Sequence, residues 1–150
     1  MHLKHYIPKL GNKFNKIFFS GISFDSSKVK KNNIFFAIKG TKSDGNNFIR
    51  EAIRKGARTI ISDYDNEGLK DKILYIKSVN VRKLLAEISY KLCKFKPKNL
   101  VAVTGTNGKS SIADFYFQIL KLNKKKVASI GTLGIQTVNS NISVLNTTLD

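Results

Sequence analysis

The sequence predicts an α/β fold in two units, residues 1–96 and 97–150. Three observations support it. Short, continuous apolar runs of strand length alternate with segments whose apolar residues recur at helical spacing. The stretch Lys94-Phe-Lys-Pro-Lys-Asn99 is basic, carries one of only two prolines and suits a linker. Beyond it, Leu100 to Ser111 runs from apolar residues through a glycine turn into a helix-like segment.

In the first unit, Ile34-Phe-Phe-Ala-Ile38 reads as a buried strand. Asn46 or Asn47 then suits the cap of a helix carrying Phe48, Ile49, Ala52 and Ile53 and stopped by Gly56. Thr59–Ser62 and Ile73–Ile76 are further strands, separated by a polar loop over 63–72 that contains Gly68. Asn80 precedes a helix whose Val81, Leu84, Leu85, Ile88 and Leu92 fall on one face, and Pro97 ends that region.

The second unit starts with a strand over Leu100–Val103 and continues through the glycine turn into a helix over Lys109–Leu122. Ile112, Phe115, Ile119 and Leu122 are its packing face. Val127–Ile130 follows as a strand after a crossover of βα length, with Lys124–Lys126 in the connecting turn. Gly131 and Gly134 form a flexible turn, and Ile142–Leu145 is one more strand candidate. A nucleotide-binding sheet needs more strands than these, so the expectation is the first part of a parallel-sheet P-loop domain within a longer protein.

The turn carries the most specific chemistry. Gly105 and Gly108 allow a tight bend that aims backbone N–H groups inward at phosphate oxygens. The following helix adds the positive end of its dipole. Lys109 suits the outer phosphates, and the Ser110 hydroxyl suits Mg²⁺. Thr104, Gly105, Thr106, Asn107, Gly108, Lys109, Ser110 and Ser111 are therefore the candidate ATP-binding residues, with Lys109 catalytic and Ser110 the metal ligand. The general pattern G-x-x-x-x-G-K-S/T asks for glycine where Val103 stands, and a glycine turn with a surface lysine is the bland alternative.

The single Cys93 excludes an intramolecular disulfide and a cysteine-cluster metal site. It lies on a predicted helix and suits partial burial better than catalysis. No apolar run has the roughly 20 residues needed to span a bilayer, and the N-terminus has no signal-like apolar core. These features fit a cytoplasmic protein with no membrane partner. The formal charge of +17 raises the possibility of a nucleic-acid partner. The lysines, however, are scattered along the chain, and Phe35, Phe36, Phe48 and Phe115 occupy core-like positions, not stacking positions. No specific nucleic-acid partner is expected. A basic nucleic-acid-binding module with an incidental nucleotide loop stays as the alternative of a different class.

Three segments in order resemble the Mur ligases, the ATP-dependent enzymes that build the peptidoglycan stem peptide, and among them the MurE type, the UDP-N-acetylmuramoyl-tripeptide synthetases. Phe24-Asp-Ser-Ser-Lys-Val-Lys-Lys-Asn-Asn-Ile-Phe-Phe-Ala-Ile-Lys-Gly40, followed by Asp44-Gly45, is similar to the family's D-S-R-x-V-x-x-G-D-L/I-F-x-A-x-x-G with D-G after it. Thr104-Gly-Thr-Asn-Gly-Lys-Ser-Ser111 is similar to its T-G-T-N-G-K loop, which normally lacks the first Walker glycine. Gly131-Thr-Leu-Gly134 and Asn146-Thr-Thr-Leu-Asp150 are similar to its G-T-x-G and N-T-T-P-D/E elements. Ser27 departs from the usual arginine, Asn32-Asn33 from a Gly-Asp turn, Leu149 from proline and Ser110 from the commoner threonine.

The resemblance implies that residues 1–96 hold the UDP end of the substrate, with Phe24, Ser26, Thr41, Lys42 and Ser43 at the uridine and diphosphate. It places Asn146, Thr147 and Thr148 at the muramoyl-peptide part. Asp25 suits a local cap better than a contact, and Asp44-Gly45 suits a turn as well. The implied reaction adds a diamino acid to UDP-MurNAc-L-Ala-D-Glu through an acyl phosphate, with ATP and Mg²⁺. Residues 1–150 alone are expected to bind weakly and not to ligate. MurF-type ligases share the first segment, but the Gly131-Thr and Asn146-Thr-Thr pair favours the MurE type. Folylpolyglutamate synthases usually carry Gly-Lys-Gly-Ser where Gly-Lys-Ser-Ser stands here.

Overall fold

A computed structural model describes residues 1–7, 14, 16–41 and 43–143, which divide into two compact units, Met1–Lys96 and Pro97–Asp150. The first unit is built on a five-stranded sheet. Its strands are β1 (Gly21–Ser23), β2 (Asn33–Phe36), β3 (Thr59–Ser62), β4 (Gly68–Lys70) and β5 (Ile73–Lys77), in the order β1-β2-β3-β5-β4. All pairings are parallel except β4 with β5.

A mostly parallel sheet covered on both faces explains why Ile34–Ile38 reads as an unbroken apolar run. Ile34, Phe36, Ile61 and Leu74 pack on one side with Leu3, Phe19, Val81 and Ile88. Phe35, Ala37, Ile60 and Ile73 pack on the other with Val29, Ala52 and Ala57. The first face is covered by α2 (Val81–Leu92) and the N-terminal segment, the second by α1 (Ile49–Arg54). Asn80 caps α2 by accepting the Lys83 N–H at 2.9 Å, and Leu84, Leu85 and Leu92 join Val81 and Ile88 against the core as their spacing required.

Several expectations change. The helix after β2 starts earlier than the asparagines suggested. Asp44 caps a 3-10 turn over Gly45–Phe48 that runs into α1. Asn46 lies inside, donating from Nδ2 to Asp44 and Asp63, both at 2.9 Å. Two carboxylates flanking an amide outcompete a capping role. The polar stretch 63–72 contains β4, joined to β5 through Asp71 and Lys72, both with positive φ, a turn suited to a two-residue hairpin. Leu3 was unassigned yet is fully buried, as the first residue of the N-terminal 3-10 turn Leu3–His5. Cys93 follows the last helical residue and is exposed instead of partly buried. Asn32 holds φ 62°, the left-handed conformation that glycine usually supplies and asparagine tolerates. Its stand-in for the Gly-Asp turn is therefore conformationally silent.

The second unit contains α3 (Lys109–Leu122) and a sheet of β6 (Ala128–Gly131), β7 (Gly134–Thr137) and β8 (Asn141–Ile142), paired antiparallel in that order. The α/β class holds for the chain, but no parallel pair occurs among the described strands of this unit. Gly131 pairs with Gly134, so the expected flexible turn is a tight hairpin that closes β6 onto β7. Leu100–Val103 is not a strand, and Leu100 is 87% exposed. A parallel strand gains its ladder only from a neighbour brought by a crossover, and β6 has a hairpin partner instead. The intended packing face of α3 is solvent-facing: Ile112, Phe115, Ile119 and Leu122 are exposed, and Phe117 is the buried residue. Phe48 is exposed too, whereas Phe35 and Phe36 are fully buried. Of the Ile142–Leu145 candidate, β8 takes Ile142, and residues 144–145 lie outside the described residues.

Candidate phosphate-binding and substrate sites

The glycine loop leads into α3 through two residues that only glycine adopts readily. Gly105 has φ 146° and Gly108 has φ 74°. Gly108 is also the N-cap of α3 and has no side chain to cap it. The first N–H groups of a fourteen-residue helix therefore lack intrahelical partners at the loop. Thr104 through Ser111 are all exposed. Lys109 folds back over the loop, its Nζ donating to the carbonyls of Gly105 and, at 3.1 Å, Thr106. Its ammonium faces no carboxylate among the described ion pairs. Ser110 Oγ lies 2.6 Å from Thr132 Oγ1 in the β6–β7 turn.

This donor set fits a polyphosphate. The uncapped N–H groups that open α3, the Lys109 ammonium and the Ser110 hydroxyl all belong to this exposed loop and helix start, and residues 104–111 include no acidic side chain. Ser110 is the hydroxyl that fits Mg²⁺ beside such a ligand. Among the described residues no group of three or more His, Cys, Asp or Glu could hold a metal by itself.

In the first unit, the segment after β1 and the loop after β2 both leave the carboxyl ends of neighbouring parallel strands, where ligands bind in open α/β sheets. Phe24 is 47% exposed. Ser26 is half-buried and donates to Glu51 Oε2 at 2.7 Å. Glu51 also pairs with Lys55 at 3.1 Å. The Ser26 hydroxyl, then Lys55, hold the Glu51 carboxyl below its ordinary range. Asp25 is a local cap, its Oδ1 accepting from Ser27 N–H and Ser27 Oγ at 2.9 and 2.6 Å. The Ser27 hydroxyl is the largest reason its carboxyl titrates low. Serine in place of arginine thus tightens this turn.

Residues 38–40 and 43–45 pair closely: Lys39 forms an antiparallel bridge with Asp44, Gly40 N–H donates to the Ser43 carbonyl at 2.9 Å and Gly45 N–H donates to the Ile38 carbonyl at 2.9 Å. Thr41 and Ser43 are exposed. Lys42, Asn146, Thr147 and Thr148 lie outside the described residues.

An open cleft of about 180 Å³ sits along the same sheet edge, lined by Ile38, Lys39, Asp63, Val79, Asn80, Val81 and Arg82. None of the described candidate substrate residues, Phe24, Ser26, Thr41 and Ser43, lines it. Sequence reading missed Glu51 and Thr132, because each acts on its partner across 25 and 22 residues of chain.

A family model described as the Mur ligase family, catalytic domain, matches residues 18–91, within the first unit. A UDP-N-acetylmuramoyl-L-alanyl-D-glutamate--2,6-diaminopimelate ligase of Rickettsia conorii is 44% identical over 135 residues, covering 89% of this chain and 27% of that protein. The protein of the same name from Buchnera aphidicola is 37% identical over 138 residues, covering 87% of this chain and 28% of its own length. A solved structure of a ligase with this name superposes with a TM-score of 0.78 at 25% identity, over 100% of this chain and 31% of its own. The MurF ligase of Thermotoga maritima in complex with ADP gives 0.54 at 29% identity, over 74% of this chain and 25% of its own. The chain spans about a quarter of the length of the curated relatives it matches. On these matches in sequence and structure, the chain belongs to the Mur ligase family.

Proposed function

We propose that this chain supplies the UDP-substrate-binding domain (1–96) and the start of the ATP-binding domain (97–150) of a peptidoglycan-precursor amide ligase. The reaction is the addition of 2,6-diaminopimelate to UDP-MurNAc-L-Ala-D-Glu in the cytoplasm, with no nucleic-acid or membrane partner. The glycine loop carries the reading: Gly105 and Gly108 in conformations that open the backbone, and α3 presenting an N-terminus without a side-chain cap. The name shared by the relatives supports the choice of amino acid.

The chemical obstacle is electrostatic. A substrate carboxylate must take the γ-phosphoryl group of ATP, both partners being anions, before the amine of diaminopimelate displaces phosphate from the acyl phosphate. Lys109 and the loop N–H groups spread that negative charge and hold the transferring group in line. To reach the phosphate, Lys109 exchanges its bonds to the Gly105 and Thr106 carbonyls for phosphate oxygens. A Mg²⁺ ion, when bound through Ser110, neutralises further phosphate charge. Phe24, Ser26, Thr41, Lys42 and Ser43 recognise uridine and diphosphate, with Ser26 oriented by Glu51. Asn146, Thr147 and Thr148 take the muramoyl-peptide end.

A chimera tests this directly. Residues 1–150 replace the matching part of the R. conorii ligase, and phosphate release and tripeptide formation are followed with UDP-MurNAc-L-Ala-D-Glu and diaminopimelate. The chimera ligates, and Lys109→Ala reduces turnover by at least a hundredfold. A folded chimera that binds UDP-substrate yet forms no acyl phosphate contradicts the proposal, as does one that tolerates Lys109→Ala.

A further inference from the structure

We infer that Thr132 is a positioning residue for Ser110, fixing how the serine hydroxyl presents itself to a divalent cation; this rests on the phosphate-loop reading above. The two oxygens lie 2.6 Å apart, which requires one to donate to the other. A hydroxyl has one proton and two lone pairs. When Ser110 Oγ gives a lone pair to a cation, its proton must point elsewhere, and Thr132 Oγ1 stands where it can accept. The accepted hydrogen bond stops the rotor and makes the serine oxygen a better donor to the metal.

The backbone holds Thr132 in place. It occupies the two-residue turn between Gly131 and Gly134, which pair across β6 and β7. Gly134 has φ 88°, and a Cβ there would run into the Ile142 carbonyl of β8. The turn is therefore fixed by three strands, while Ser110 is fixed by the first turn of α3. Two rigid supports converge on one hydrogen bond between exposed side chains. A contact made only to pack the fold has no need of a hydroxyl on either side.

The test measures ADP affinity by calorimetry with excess Mg²⁺ and again with EDTA, and takes the ratio of the two dissociation constants. In the wild-type chain the ratio favours Mg²⁺. Thr132→Val lowers that ratio about tenfold, the usual consequence of losing an outer-shell partner. Thr132→Ser retains it, and Ser110→Ala abolishes it. A Thr132→Val ratio within twofold of wild type overturns the inference while leaving the phosphate loop standing. A wild-type chain that binds no ADP under either condition overturns the loop reading and this inference together.

Discussion

Among the described glycines of the first unit, Gly45 is the one where an added Cβ meets the closest contacts. A Cβ built there falls 2.5 Å from the Ile38 nitrogen, 2.6 Å from its carbonyl oxygen and 2.9 Å from the Ala37 carbonyl carbon. All three are backbone atoms, so no side-chain rotation relieves the overlap. Ala37 follows directly on β2 and is fully buried, which leaves the backbone little room to retreat. Overpacking of this kind costs about 1–3 kcal/mol. Displacement also breaks the Gly45 N–H bond to Ile38, worth about 1 kcal/mol more. Gly45→Ala should therefore destabilise the first unit by about 3 kcal/mol. Four of the five tyrosines, Tyr6, Tyr64, Tyr75 and Tyr90, lie in that unit, so tyrosine fluorescence in urea reports on it. With urea slopes of about 1–3 kcal/mol/M, the midpoint falls by about 1–3 M. Gly131→Ala, where a Cβ meets nothing within 4 Å, is the control. A Gly45→Ala midpoint matching that control would refute the steric reasoning.

Three further outcomes are expected. Asn80→Ala removes the α2 cap and costs about 1 kcal/mol, read from the same urea transition. Asn46→Asp places a third carboxyl between Asp44 and Asp63; the variant is destabilised by several kcal/mol at neutral pH, and acidification restores part of the loss because its raised pKa favours the protonated form. Asp25 and Glu51 titrate below their ordinary values, so their hydrogen bonds to Ser27 and Ser26 stabilise the fold above the usual carboxylate range of about pH 4 and are lost as pH falls through the lowered values. Binding of UDP should weaken over that acid window, and Glu51→Gln should flatten the dependence, as equilibrium dialysis across pH will show.

The elements legible in the sequence are those whose stabilisation is local or fully buried. β3 was readable because Thr59–Ser62 is buried on both faces, and α2 because Asn80 and a five-residue apolar face mark it without outside help. β1 and β4 were not, since Gly21-Ile-Ser23 and Gly68-Leu-Lys70 exist through ladder bonds to β2 and β5, not through their own composition. The Leu100–Val103 prediction failed for the converse reason: an apolar run forms no strand where no neighbour supplies the ladder. The loop around Lys109 was legible because its glycines, lysine and helix start are consecutive. The Ser26–Glu51 and Ser110–Thr132 contacts were not, because each spans distant chain.

Hydrogen–deuterium exchange of the chain with and without MgATP separates a phosphate-binding loop from a bare glycine turn. MgATP slows exchange only at the amides of residues 105–111, while UDP slows a separate set within 24–45. Protection by ATP anywhere else, with the amides around Lys109 exchanging as freely as before, would contradict the phosphate-binding loop.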